Sequence, residues 1–326
     1  MTYTHRPLTE RVLARLGDPR VVWIAAWGSV PWLNAGGNLL LGTNRTSAVW
    51  EQSDALVVLN YAAISLAIAV SLWGTGRVAR RLEALRTIRS ATLEGERREH
   101  FRGMNSTVGP IAASGVAALV FGVSTLITDG WMSAILRGAT WFVIGIALFT
   151  YVWTYGCLLL GLNRLGRERL VPDPVHVDPG LGLQPLGGTA STGLWMLLVW
   201  LVPVLLTGLP DVVGAVIGML VLVAVLATFF LSLLRLHWQM VEVRASELAI
   251  ARDLYAQAYE PVHEARTLEA LERQRGLLAA ADALEKRASS IHEWPFAERT
   301  PTLVITITTS VIAMAIGRLI LDPFGL

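Results

Sequence analysis

Charge and reactive side chains are scarce in this chain of 326 residues: 16% of them are charged and 53% hydrophobic. One cysteine, Cys157, lies inside an apolar run, which rules out an intrachain disulfide or a thiolate metal cluster and leaves the role of a small buried hydrophobe. Lysine is equally rare. Lys286 is the only one and every other basic side chain is arginine, a usage that fits a high-GC prokaryotic genome and leaves no lysine in the last apolar run for a retinal Schiff base. No Asp, Glu, His or Lys falls in the middle of any long apolar run, whereas proton-coupled pumps and symporters place a titratable group there. Also missing are His-Glu-x-x-His, paired intramembrane aspartates, Gly-x-Ser-x-Gly and a nucleotide-binding loop, so the chain does not read as an enzyme. No cofactor motif and no nucleic-acid-binding pattern stands out.

What is present is a series of apolar runs of about 20 residues, the length that crosses a bilayer as a helix. The class is therefore an all-α polytopic membrane protein, and the sequence predicts seven crossings. They run from Val21 to Leu41, Ala55 to Trp73, Val108 to Thr128, Thr140 to Leu162, Thr192 to Leu209, Val212 to Leu236 and Thr302 to Leu321. Crossings five and six form a hairpin, because only Gly208-Leu209-Pro210-Asp211 separates them. Residues 1–20 carry Leu8, Val12, Leu13 and Leu16 at helical spacing and read as a short amphipathic helix lying on the membrane surface. With no small-residue cleavage site after it, the first apolar run is expected to stay as a crossing. Four regions follow: residues 1–20, residues 21–236 with cytosolic loops 74–107 and 163–191, a cytosolic helical region 237–300, and residues 301–326 with the seventh crossing and a short external tail.

Arginine sets the orientation, since basic residues near membrane ends are retained in the cytoplasm. Arg77, Arg80, Arg81, Arg86, Arg89, Arg97, Arg98 and Arg102 follow crossing two, while the loops after crossings one and three hold only Arg45 and Arg137. This predicts the N-terminus inside and the C-terminus outside, in a cell inner (plasma) membrane.

The cytosolic side is expected to be helical. Val78, Leu82 and Leu85 carry crossing two inward on one face, and crossing six runs on to Tyr259 before Pro261 interrupts it. Beyond that proline, Leu277, Ala281, Leu284, Ala288 and Ile291 form a four-three seam whose alanines allow close approach. The seam has two readings: a hairpin on its own subunit, or an assembly anchor shared between subunits, with Leu277, Leu284, Ile291 and Trp294 as contact residues. Trp294-Pro295-Phe296 is predicted to break the helix at headgroup level before the chain re-enters the membrane. The loop from Val171 to Gly188 is dense in Pro and Gly and reads as a non-helical connector, and its Asp173, His176 and Asp178 lack the spacing of a metal motif.

Polar residues inside the crossings give two candidate sites. Asn34, Asn38, Asn60 and Tyr61 lie in the outer halves of crossings one and two. Either they bond between helices or, with Trp32, Trp141 and Tyr151 as walls, they line a pocket for a small-molecule ligand. Pro31, Gly36 and Gly37 would let crossing one bend around such a pocket. In crossing seven, Thr302, Thr306, Thr309 or Ser310, Ala313 and Gly317 make a small, hydroxyl-bearing stripe. It suits either helix packing or the lining of a pore, with Arg318 and Asp322, four residues apart, paired at its mouth.

Seven crossings, an internal N-terminus, a short external tail, a sixth helix prolonged into the cytosol and a broken seventh helix together resemble the insect odorant and gustatory receptor channels in plan, though not in motif. That resemblance implies a tetrameric, cation-conducting pore lined by the second half of the last helix, with the cytosolic helices as the anchor. The expected function is thus a receptor-like homo-oligomeric ion channel of the cell membrane, self-associating within the lipid bilayer. The alternative is a non-conducting scaffold or sensor that binds a partner through its cytosolic helices.

Overall fold

The computed structural model describes residues 6–17, 19–40, 54–84, 101–167, 184–200, 203, 212–264, 268–294 and 309. Among these the secondary structure is helical, with no strand. In chain order the helices are α1 (Leu8–Leu16), α2 (Arg20–Gly28), α3 (Val30–Leu40), α4 (Asp54–Ala84), a short 3-10 turn (Arg102–Asn105), α5 (Val108–Asp129), α6 (Trp131–Leu165), α7 (Gln184–Val199), α8 (Val212–Glu264) and α9 (Leu268–Ser290).

Four segments are long and apolar enough to cross a membrane: Val58–Leu82 in α4, Val108–Asp129 in α5, Trp131–Arg164 in α6 and Gly218–Tyr259 in α8. The other three expected crossings differ. The first is split into α2 and α3, of 9 and 11 residues. The break falls at Ser29, two residues before Pro31, whose ring and missing N–H disrupt the bond to the carbonyl four residues back. Nearby, Ser29 Oγ donates to the Ala26 carbonyl at 2.7 Å. For the fifth, α7 begins at Gln184 rather than Thr192, so Gln184 to Gly188 is helix and not connector. Its Pro185 falls in the first turn, where an absent N–H costs nothing because no carbonyl precedes it to accept. The seventh crossing, apart from Thr309, lies outside the described residues, as do Asp173, His176 and Asp178.

α6 is the central element, packing against α1, α3, α4, α5, α7, α8 and the 3-10 turn. Its most extensive partner is α5, joined to it through Gly130, whose positive φ of 85° suits a residue without Cβ. The two helices approach through small residues. A Cβ added at Gly138 would lie 3.3 Å from the Ala118 carbonyl oxygen, one at Gly122 3.4 Å from that of Ala134, and one at Gly145 3.2 Å from the Ser114 Cα. Ser114, Ala118 and Gly122, spaced by four, thus form a groove on α5 that Gly138 and Gly145 of α6 enter, the small-residue contact of membrane helices.

Two clusters make the core. One gathers Ile68 and Leu72 of α4, Ile144 and Ala147 of α6, and Trp200 just past α7. The other joins Val78 and Leu82 of α4, Tyr155, Leu158 and Leu162 of α6, Leu194 of α7, and Phe229, Leu233 and Leu236 of α8. Phe101 and Met104 belong to it as well, so residues 101–105 are a plug rather than a solvated loop. Trp153 Nε1 fixes that plug by donating to the Gly103 carbonyl at 2.9 Å.

α1 forms as expected over Leu8–Leu16. It buries Thr9 and Leu13 and packs on α4 and α6. The Arg6 backbone N–H and the Arg11 guanidinium tie its start to Asn105, at 2.8 and 2.9 Å.

At 53 residues α8 is about 80 Å long, far beyond the ~30 Å of a hydrocarbon core. It includes Pro261, three residues from its end, so the helix continues through the proline expected to stop it. α9 runs back antiparallel along it. Tyr255 donates to Asp282, and Arg244 pairs with Glu293 just past the end of α9, eleven residues on in each limb of the hairpin.

Candidate functional site

The α8–α9 hairpin carries the predicted assembly residues. Ala251 and Ala258 of α8 and Ala281 and Ala288 of α9 are all fully or almost fully buried, and each pair is seven residues apart. Two alanine rows at heptad spacing let the backbones close on each other. Ile291 is buried with them, while Leu277 and Leu284 are half-buried. The seam is therefore occupied within the chain, as a hairpin on its own subunit.

α9 ends at Ser290, four residues before Trp294. Proline is not the cause. Ser289 and Ser290 bond back to the Lys286 and Arg287 carbonyls at 2.9 and 2.7 Å, competing with the helix ladder, and Ile291 N–H closes a tight turn onto Ala288. The chain after that end is clamped to α8. Trp294 stacks on His237 with ring centroids 4.2 Å apart, and meets Phe230 edge-on at 6.0 Å. His237 Nδ1 lies 2.7 Å from the Glu293 carbonyl, the geometry of a ring N–H donating to it. Glu293 also accepts from Arg244 at 2.7 Å. His237, which reads in sequence as part of a solvated helix face, is thus the platform for Trp294.

The outer polar set is only partly brought together. Trp32 Nε1 donates to Ser65 Oγ at 3.0 Å, Ser65 donates to the Tyr61 carbonyl, and the Trp32 and Tyr61 rings are 5.6 Å apart. Thr140 Oγ1 donates to Asn34 Oδ1 at 3.3 Å, and Asn38 is also engaged. Asn60 keeps a buried Oδ1 without a hydrogen bond. Trp141 turns to α5 and stacks on Phe121 at 4.0 Å. Tyr151 stands apart. Ten residues along α6 from Trp141, it is fully buried and donates to the Gly193 carbonyl of α7 at 2.5 Å. It therefore does not wall the same place as Asn34 and Trp32.

Residues absent from the expected sites carry much of the interhelical bonding. Tyr155 donates to the Ala190 carbonyl at 2.9 Å, Trp200 Nε1 to Ser71 Oγ at 2.6 Å, and Trp27 Nε1 to the Val143 carbonyl at 2.9 Å. The signal was present in sequence, since a Trp or Tyr within an apolar run has a polar tip that must find an acceptor. Thr75, Ser114, Thr125, Thr154, Thr192, Thr228 and Ser232 bond to carbonyls of their own helices. Of the proposed pore stripe, Thr309 is helical and exposed. Thr302, Thr306, Ser310, Ala313 and Gly317 lie outside the described residues, as do Arg318 and Asp322. Among the described residues no group of His, Cys, Asp and Glu is arranged to hold a metal ion. No family model, curated protein or solved structure matches this chain.

Proposed function

We propose that the protein is a homo-oligomeric, cation-conducting channel of the plasma membrane, with seven crossings, the N-terminus inside and a central pore lined by the Thr302–Gly317 stripe. One observation carries the reading: the hairpin returns Trp294 to the level of Phe230 and His237 on α8. The described chain thus comes back to α8 at Trp294, only seven residues before the apolar stretch that begins at Pro301 in sequence. The spacing of Thr302, Thr306, Thr309 or Ser310, Ala313 and Gly317 supports the same choice, because small and hydroxyl-bearing residues on one helix face suit contact with hydrated ions. Subunit number is taken as four, and self-association runs along that final stretch.

Electrical recording from purified protein in planar bilayers tests this. Conductance is expected, and it should fall when Thr306 or Thr309 is replaced by tryptophan. A silent bilayer, or currents indifferent to both substitutions, would sink the proposal.

A second reading, a non-conducting scaffold or sensor that presents its arm to a soluble partner, is favoured by the seam of α9 being satisfied within the chain. It predicts a monomer in nanodiscs and a stoichiometric soluble protein on copurification. A symmetric ring would remove it.

A further inference from the structure

We propose that the Trp73, Arg77 and Arg81 face of α4 seats the phosphate of an anionic phospholipid headgroup. These residues follow one another at one-turn spacing in the last part of the Val58–Leu82 span, where charge first enters the apolar run. The opposite face of α4 is spent on protein, with Leu72, Thr75, Val78, Ala79 and Leu82 all buried. On the other side Trp73 is 45% exposed, with Arg77 and Arg81 half-buried beside it. The Arg77 guanidinium lies over the Trp73 ring, 4.7 Å from the centroid. This is a cation–π pairing with an aromatic of the type found at membrane interfaces.

Arg77 Nε is buried without a hydrogen-bond partner. Arg81 reaches toward α7, its Nη1 being 3.8 Å from where a Cβ on Gly188 would lie. Gly188 is the fifth residue of α7, so the guanidinium lies beside the N-terminal part of that helix. Glu10 is the acid of α1 that reaches α4, at Gly76, and it is engaged by Arg20 at 3.0 Å. Among the described residues no carboxylate is bonded to Arg77, Arg80 or Arg81, so like charges converge without a counter-ion. A phosphodiester accepts from planar guanidinium donors in a paired geometry, and its acyl chains would run along the apolar part of α4 beside Trp73. Headgroup depth, exposure and charge therefore agree on one ligand chemistry, a phosphate anion, and the position below Trp73 selects a lipid as its source.

Native mass spectrometry on the full chain in detergent, with equal phosphatidylglycerol and phosphatidylcholine, tests the seat. Preferential retention of phosphatidylglycerol is expected. The preference should fall about fivefold for each arginine replaced in Arg77→Gln and Arg81→Gln, while Arg252→Gln, on the exposed face of the hairpin arm, leaves it unchanged. Equal retention of both lipids by the unmodified protein, or a preference that survives in the double variant, overturns the proposal. If inorganic phosphate alone raises the melting temperature as far as phosphatidylglycerol does, the source is free phosphate and the lipid assignment fails. Should the double glutamine variant not purify, Arg77→Lys with Arg81→Lys keeps the charge but loses the planar fork. A reduced preference then supports the seat, and an unchanged one overturns it.

Discussion

Gly138 shows what a single missing Cβ does in this bundle. The Ala118 carbonyl oxygen would lie 3.3 Å from a Cβ there, a backbone atom that cannot rotate away. Gly138→Leu should force α5 and α6 apart and destabilise the protein by about 1–3 kcal/mol, the range for overpacking a tight contact. Thermal unfolding in detergent measures this, and an unshifted melting temperature would mean that the helices do not meet at this point. Removing a hydrogen bond should matter less. Tyr155→Phe deletes the donor to the Ala190 carbonyl and should cost about 0.6 kcal/mol, the mean for interhelical bonds in membranes. The contrast between the two variants, in the same assay, separates packing from hydrogen bonding as the main source of cohesion.

At the scale of elements, length and hydropathy carry much of the plan, while interruptions carry the errors. The extension of α4 past Trp73 and of α8 past Leu236 is legible because Val78, Leu82 and Met240 keep an apolar face beyond the charged residues. The α9 seam is legible for the same reason. Proline misleads because its effect depends on position within a helix: Pro31 disrupts the first apolar run, whereas Pro185 opens α7 and Pro261 is carried in the last turn of α8. The plug at Phe101 and Met104 has no periodicity to announce it, and its partners on α6 are set only by the tertiary fold. For the candidate sites, the sequence placed Asn34 and Tyr61 on neighbouring helices but also enrolled Tyr151 as an aromatic wall, and Tyr151 turns to the Gly193 carbonyl of α7 instead. The hairpin makes a prediction of its own. Ala281→Leu should wedge α9 from α8, so amide exchange in residues 240–294 rises while that of α5 and α6 stays as it was. Uniform acceleration throughout the chain would show that the arm is not a separable unit.

Across the whole molecule, α6 ties the bundle together and α8 links it to the arm. Trp294→Ala removes the stack on His237 and the edge contact with Phe230, and so should loosen the last stretch of chain without unfolding the bundle. Limited proteolysis would report this as new cleavage after Arg299 at unchanged melting temperature; loss of the whole bundle would place Trp294 in its core instead. Antiparallel pairing of α8 with α9 also bears on connectivity. Because Tyr255 meets Asp282 and His237 meets Trp294, the covalent link through residues 265–267 is not what holds residues 268–294 against α8. Two fragments, 1–264 and 268–326, made separately in one cell, should find each other and copurify, which makes the tip of the arm a point where the gene can be split.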